Sequence, residues 1–428
     1  MTWLFLGGLI FFMLLGVPVA YALGITVLTI LGIERGWTNI PFGVVAQRML
    51  YGVDSFPLLA IPLFLLAGRI MNEGGVTNRI FHFANTMVGH VRGGLSHVNV
   101  LGSMIFAGMS GSAIADAAGL GQIEIKAMLE AGYDREYSVA VTGASSTIGP
   151  IIPPSIPMVL YGVLAQTSVA GLFIGGIIPG ILMGLAMMMM CSYFAVKRGY
   201  PQHRRATLRQ AWEATLTTFP SLLTPVLIIG GIWTGIFTPT EASAVAAAYA
   251  VILTVFCYRE LTWKGLYRVC QETVLETGII LFILAAASMF GWLLIRYRIP
   301  FVLVDFMAGI STNPRVVLLI LNIFLLIAGC FMSVAAAITI LTPLLVPMVV
   351  KVGIDPLHFG VVMVFNLMIG VLTPPYGSVL FVLVRVGNIS FDRLVRALVP
   401  WYIPLLATLA VISYFPSTVM WLPRLVIR

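Results

Sequence analysis

Charge is what this chain has least of. Only 9% of its 428 residues are Asp, Glu, Lys or Arg, against 60% hydrophobic, and its mean hydropathy is +1.03. A soluble globule is excluded, because the polar surface needed to cover it is missing, and the apolar runs are long enough to span a bilayer. Cysteine is also scarce. Cys191, Cys257, Cys270 and Cys330 show no CxxC spacing, which fits buried free thiols rather than disulfides or metal ligands. No GxxxxGK[ST] run occurs, so ATP is not the direct energy source. The histidines (His82, His90, His97, His203, His358) fall at loops or helix ends without an HExxH pattern, which argues against a metal site. The Met187–Met190 run reads as packing or lipid-facing surface rather than a copper site. No Lys or Arg precedes Glu34, so Met1–Gly24 lacks the basic flank of a signal peptide despite its small-residue Ala20-Tyr21-Ala22. It is read as a retained membrane hairpin.

What charge there is sums to +8, but the basic residues are dispersed over loops. Only Lys197–Arg209 forms a cluster. Asymmetry across a membrane explains this better than nucleic-acid binding, and it puts that cluster in the cytoplasm.

Breaker residues, by contrast, are plentiful and patterned. Residues 107–179 reappear about 221 positions later: Ala107-Gly108 answers Ala328-Gly329, and Ser112 answers Ser333. Gly132 and Asp134 answer Gly353 and Asp355, Ile148-Gly149 answers Ile369-Gly370, Pro153-Pro154 answers Pro374-Pro375, and Pro179 answers Pro400. Apolar matches arise by chance in any membrane protein, whereas Gly, Pro and Asp in ungapped register mark a duplication. Paired, interrupted hydrophobic segments in two halves point to a transporter's binding site.

The expected fold is an all-α polytopic membrane protein built from inverted-topology repeats, with two re-entrant helical hairpins and two discontinuous helices. The first repeat takes residues 1–199, with scaffold 1–73 and transport elements 95–166. A cytoplasmic linker, 200–212, leads to the second repeat at 213–428, with scaffold 213–275 and transport elements 314–386. Crossings are expected at 2–16, 18–34, 56–72 and 169–196, and in the second repeat at 213–236, 241–258, 277–295 and 398–422. Amphipathic stretches 38–53 and 262–275 read as braces along the membrane. Hairpins 95–130 and 314–350 have arms too short to cross and return comfortably and, with Gly/Ser at the turn, fit re-entrant hairpins, which are tolerated only where protein or water covers their tips. Broken spans 134–166 and 356–386 bring each repeat to five crossings. An odd number inverts the second repeat and places both termini outside, with Lys and Arg enriched on the cytoplasmic side.

The breaks carry the chemistry. Pro cannot donate a backbone hydrogen bond and pushes its predecessor out of the helical region, so Pro153-Pro154 ends one helix near Gly149 and lets another begin near Ser155. The first half-helix leaves carbonyls unpaired and the second leaves N–H groups. Carbonyls suit a hard cation, and N–H groups at the positive helix end suit a carboxylate. The tip at Ala107–Ser112 repeats the arrangement, and so do the second tip at Gly329–Ser333 and the second break at Gly370–Pro375. One cation site is expected at Gly108, Ser110, Ser112, Ser145 and Gly149, and another at Gly329, Ser333, Asn366, Gly370 and Thr373. The substrate is expected at Ser110, Gly111, Asp116, Pro154, Ser155, Ser333, Gly377 and Ser378. Because Ser110 faces Phe331 and Ile152 faces Thr373 in the register, the two cation sites should differ chemically.

The stretches DSFPLLAIPLFLLAG (54–68), SGSAIADAAGLG (110–121), GPIIPPSIP (149–157), FTPTEASAVAA (237–247) and GVLTPPYGSVLFV (370–382) resemble the large membrane subunit of tripartite ATP-independent periplasmic (TRAP) transporters. The likeness runs from about residue 2 to 423. It implies a sodium-driven importer of small organic acids (a C4-dicarboxylate, sialic acid or sugar acid) in the bacterial inner membrane, working by an elevator movement. It also implies a small four-helix membrane subunit and a periplasmic substrate-binding protein. Sodium serves as coupling ion, with no other cofactor. Where many members carry an acidic residue after the Gly-x-Phe-Met of the second tip, this chain has Ser333, so roles resting on that carboxylate do not carry over.

Other ionisable residues have two readings each. Asp116 either serves a cation or polar substrate atoms, or complements the positive helix end after Ser112. Glu241 fits first-turn stabilisation. Arg48 and Arg69 either guide an acid or snorkel to headgroups. Asp305 has no obvious partner in the sequence. A stand-alone sodium/dicarboxylate symporter is the nearest rival reading. A membrane enzyme would need a nucleophile–base or metal constellation, and none is found, so no enzymatic activity is expected. A channel would show sodium currents far above carrier turnover.

Overall fold

The computed structural model describes residues 2–202 and 205–426. His203 and Arg204, in the expected linker, lie outside the described residues, as do Met1, Ile427 and Arg428. Among the described residues every regular element is helical. A helix satisfies its own backbone polar groups, which lipid cannot do.

The first repeat opens with α1 (Thr2–Leu14), α2 (Val19–Arg35), α3 (Phe42–Val53) and α4 (Ala60–Glu73). After α5 (Val76–Val88) comes the first hairpin: α6 (Gly94–Ser110), then α7 (Ala113–Ala118) and α8 (Leu120–Glu130). The first broken helix is α9 (Arg135–Ser146) plus α10 (Ile156–Leu164), and α11 (Val169–Arg198) closes the repeat. The second repeat runs α12 (Leu208–Trp233), α13 (Pro239–Val251), α14 (Trp263–Arg296) and α15 (Ile299–Ile310). Its hairpin is α16 (Pro314–Phe331) and α17 (Val334–Lys351), and its broken helix is α18 (Pro356–Gly370) and α19 (Ser378–Gly387). Then follow α20 (Phe391–Leu398), α21 (Tyr402–Tyr414) and α22 (Ser417–Val426). Eight helical stretches among the described residues are long and apolar enough to cross a membrane.

The inversion is visible in two hydrogen bonds. Tyr161, near the end of α10, donates its hydroxyl to Pro356 O at the start of α18, at 2.7 Å. Arg135, at the start of α9, donates to Gly387 O at the end of α19, at 3.0 Å. The two broken helices therefore run in opposite directions. The repeats also interlock: α7 packs on α19 and α10 on α17, so each hairpin's second arm lies against the other repeat's second half-helix. Outside this unit α4 packs on α13, and α14 lies against α2, α3 and α4.

Four segment expectations change. The stretch 262–275 and the span 277–295 are one 34-residue helix, α14. At 1.5 Å per residue it is roughly 51 Å long, well beyond the ~30 Å hydrocarbon core. In the first repeat Asp54 and Pro57 divide α3 from α4, whereas the matching positions are Leu275 and Gly278, which a helix tolerates. The arm 112–130 is cut at Gly119, where a Cβ would run into the Asn72 side chain of α4. Its counterpart α17 is unbroken. The final span, expected at 398–422, instead runs from Phe391 to Tyr414 and stops before Pro416. Finally, α12 starts at Leu208, inside the expected linker, because Thr207 and Gln210 form a capping box there.

Candidate functional site

Each tip and each break form where the breakers demand. In the first hairpin α6 ends at Gly111, whose φ of +58° is open to glycine at little cost. Ser112 then caps α7, accepting from Ala115 N at 3.4 Å. Gly111 also has to be small: a Cβ there would stand 2.6 Å from Pro154 O, so tip and break touch at this point. The first break ends α9 at Ser146, a turn earlier than the prolines alone suggest, and resumes at Ser155, which caps Met158 N. Ser155 also donates to Pro150 O. Both Pro-Pro peptide bonds, 153–154 and 374–375, are cis.

Two of the residues expected at the first cation site, Ser110 and Gly149, meet Asp116, which was expected with the substrate. Ser110 Oγ donates to Asp116 Oδ1 at 2.5 Å, and Asp116 is 2% exposed. Its second oxygen, Oδ2, is buried without a hydrogen-bond partner and faces Gly149, where a Cβ would lie 2.9 Å from it. A buried carboxyl oxygen without a partner is costly unless a proton or a countercharge neutralises it.

Other expected members are engaged elsewhere. Gly108 faces α12, where its missing Cβ makes room for Pro225. Ser145 donates to Asn99 Oδ1 at 2.6 Å, and Asn99 in turn donates to Thr142 Oγ1 at 2.7 Å, a polar seam between α6 and α9. Pro154 and Ser155 are buried, and the Ser155 hydroxyl is spent inside its own turn. The packing that forms the break thus encloses both residues expected to meet the substrate there.

The second site is more open. Gly329 and Gly370 bring tip and break into backbone contact: a Cβ on Gly370 would fall 2.7 Å from Gly329 Cα. Thr373 Oγ1 donates to Ile369 O at 2.8 Å. Asn366, the counterpart of Ser145, donates to Asn322 O and Oδ1 at 3.0 Å each, while its own Oδ1 is buried without a partner. Asn322 continues to Ser413. Ser333 caps α17 by accepting from Ala336 N and stays exposed, and Ser378 is half-buried beside Gly377. Helices α17 and α19 both begin here, so their positive ends lie on this side, although Ala336 N is taken by Ser333, Val379 N by Val371 O and Leu380 N by Gly377 O.

The sequence reading missed the seam residues Asn99 and Asn322 and the buried Glu124, whose two carboxylate oxygens have no hydrogen-bond partner. A polar residue inside an apolar run was the available signal. The remaining ionisable residues resolve plainly. Glu241 completes a capping box with Thr238. Arg69 binds Glu272 and Glu276 of α14 at 2.5 Å, and the Arg48 guanidinium lies 5.5 Å from the Trp292 ring centre. Neither arginine is at a tip. Asp305 is exposed and pairs with Lys351 at 3.2 Å.

Residues 6–418 match the sequence model of the tripartite ATP-independent periplasmic transporter, DctM component. The chain is 46% identical to the sialic acid TRAP transporter large permease protein of Vibrio cholerae over 96% of this chain and 95% of that protein. It is 44% identical to the sialic acid TRAP transporter permease protein of Haemophilus influenzae, over 97% of this chain and 67% of that protein. The C4-dicarboxylate TRAP transporter large permease protein of Rhodobacter capsulatus is 36% identical, with 98% of each chain covered. Among solved structures, the Alcanivorax borkumensis YdaH transporter superposes with a TM-score of 0.66 at 13% identity, covering 92% of this chain and 91% of that one. That likeness concerns the fold alone.

Proposed function

The chain belongs to the DctM component family of tripartite ATP-independent periplasmic transporters, and on that footing we propose that it is a sodium-coupled importer of a small organic acid. It is a multi-pass membrane permease and not an enzyme. The substrate is of the class named for its relatives, a sialic acid or a C4-dicarboxylate. A periplasmic binding protein delivers it, and a small four-helix membrane subunit completes the complex in the inner membrane. The linker end faces the cytoplasm.

One observation carries this reading. Asp116 Oδ2 is buried, unpartnered and aimed at the backbone of Gly149, between the first tip and the first break. A sodium ion there supplies the missing charge, and the equivalent gap between Gly329 and Gly370 seats a second. With both filled, the positive helix ends at Ser333 and Ser378 hold the carboxylate of the substrate. The interlocked hairpins and broken helices form the moving body of an elevator, sliding against the α4, α13 and α14 scaffold.

The test is uptake into proteoliposomes containing this chain and the small subunit, with the binding protein outside. Sodium-dependent concentrative uptake of N-acetylneuraminate or succinate is expected only with the binding protein present. Uptake by this chain alone would favour a stand-alone symporter, and uptake indifferent to sodium would remove the coupling.

A further inference from the structure

The repeat register pairs two buried serines of the first half with two exposed aromatics of the second. Ser110 corresponds to Phe331 and Ser155 to Tyr376, each at the same offset of 221. The serines are 3% and 0% exposed, and their hydroxyls are spent on Asp116 and Pro150. Phe331 and Tyr376 are 52% and 64% exposed, and their rings lie 6.3 Å apart at 51°. One ring comes from the second tip and the other from the second break. Each stands two residues before a helix-opening serine, Ser333 or Ser378.

Lipid is a poor neighbour for this spot, since the exposed Ser333 hydroxyl accepts from Ala336 N but would find no acceptor for its own proton in hydrocarbon. The spot therefore faces water or a ligand. Two aromatic faces left in water beside positive helix ends are matched by an acid with a carboxylate at one end and an apolar ring face on its body. A four-carbon dicarboxylate has no such face.

We propose that Phe331 and Tyr376 form a stacking platform that selects a ring-bearing organic acid, such as a sugar acid, over a short open-chain dicarboxylate. This rests on the transport reading above and deepens it. The helix ends hold the carboxylate, and the platform recognises the rest of the molecule.

The complete transporter, with its small subunit and binding protein, is assayed in proteoliposomes for uptake of N-acetylneuraminate and of succinate. Wild type is expected to prefer N-acetylneuraminate. F331A and Y376A should each raise its KM by about tenfold, roughly what a lost aromatic contact is worth. The sodium concentration for half-maximal uptake should not move. F331Y and Y376F keep the ring faces and should restore KM, which separates stacking from a general packing loss. Unchanged KM in both alanine variants, or wild-type uptake of succinate alone, overturns the platform while leaving the transport reading intact. No uptake of either acid by wild type removes the transport reading and the platform with it.

Discussion

At the scale of single residues, Asp116 divides the work between the two repeats. Its counterpart 221 positions on is Ala337, so one tip carries a carboxyl group and the other does not. The Ser110 hydrogen bond holds the carboxylate in place, and its free oxygen is what a cation would complete. Asp116→Asn keeps the shape and the hydrogen bond but removes the charge. The sodium concentration for half-maximal uptake should rise at least about tenfold, with membrane insertion unchanged. An unchanged sodium response would return Asp116 to simple stabilisation of the α7 N-terminus. Thr373→Ala probes the second site and should weaken sodium dependence less, because Thr373 already donates to Ile369 O. The motif around 110–121 showed Asp116 to be unusual, but nothing in the sequence told which of its oxygens would be left without a partner.

At the scale of elements, two contacts set how freely the pieces move. Gly370 meets Gly329 backbone to backbone, so Gly370→Val would drive α18 off α16. The expectation is loss of thermal stability by about 1–3 kcal/mol, the usual cost of overpacking, together with weakened sodium response. A variant with wild-type melting would show that the tip yields. The start of the first broken helix is tied to the end of α11 by Asp134, which accepts from the Tyr200 hydroxyl at 2.8 Å and from Arg198 at 2.7 Å. Chiefly the Tyr200 hydrogen bond, and after it Arg198, hold the Asp134 carboxyl below its ordinary value. The sign follows from linkage. A depressed folded-state value adds stability above the unfolded value near 4, and that stability is lost as pH falls below it. Melting of the detergent-solubilised protein should therefore drop as the pH is lowered below about 4, and Asp134→Asn should flatten that part of the profile. Equal slopes in both proteins would exclude the tie.

Element boundaries also mark the limit of legibility. The breaks at Ser112 and Ser155 were readable because a serine cap after Gly or Pro leaves the backbone few choices, and the one at Ser333 because it repeats Ser112 in the register. The fusion of 262–275 with the following span was not, since Gly278 is compatible with a bend or a straight helix. Only packing against α2, α3 and α4 settles which occurs.

At the scale of the whole molecule, the hydrogen bonds Tyr161–Pro356 and Arg135–Gly387 lie at opposite ends of the antiparallel broken helices. Arg135 shares its end with Arg198, Tyr200 and the basic linker. Single cysteines at Gln202 and Asn313, in a background without native cysteines, should thus react with impermeant reagents from opposite sides of the membrane. Labelling of both from one side would break the inversion. If sodium and substrate complete one another's sites, the factor by which sodium tightens substrate binding must equal the factor by which substrate tightens sodium binding.

Composition settled the membrane, because 60% apolar residues leave no other solvent for the surface. The gapless recurrence of Gly and Pro settled the duplication and the places where helices are cut, since those residues act on their own backbone wherever they sit. Which side chains share a site was decided by tertiary structure alone. Ser145 was drawn to Asn99, Gly108 to Pro225 and Asp116 to Ser110 and Gly149. These are contacts between helices, and a side chain buried away from water bonds to whatever partner the packing puts within reach.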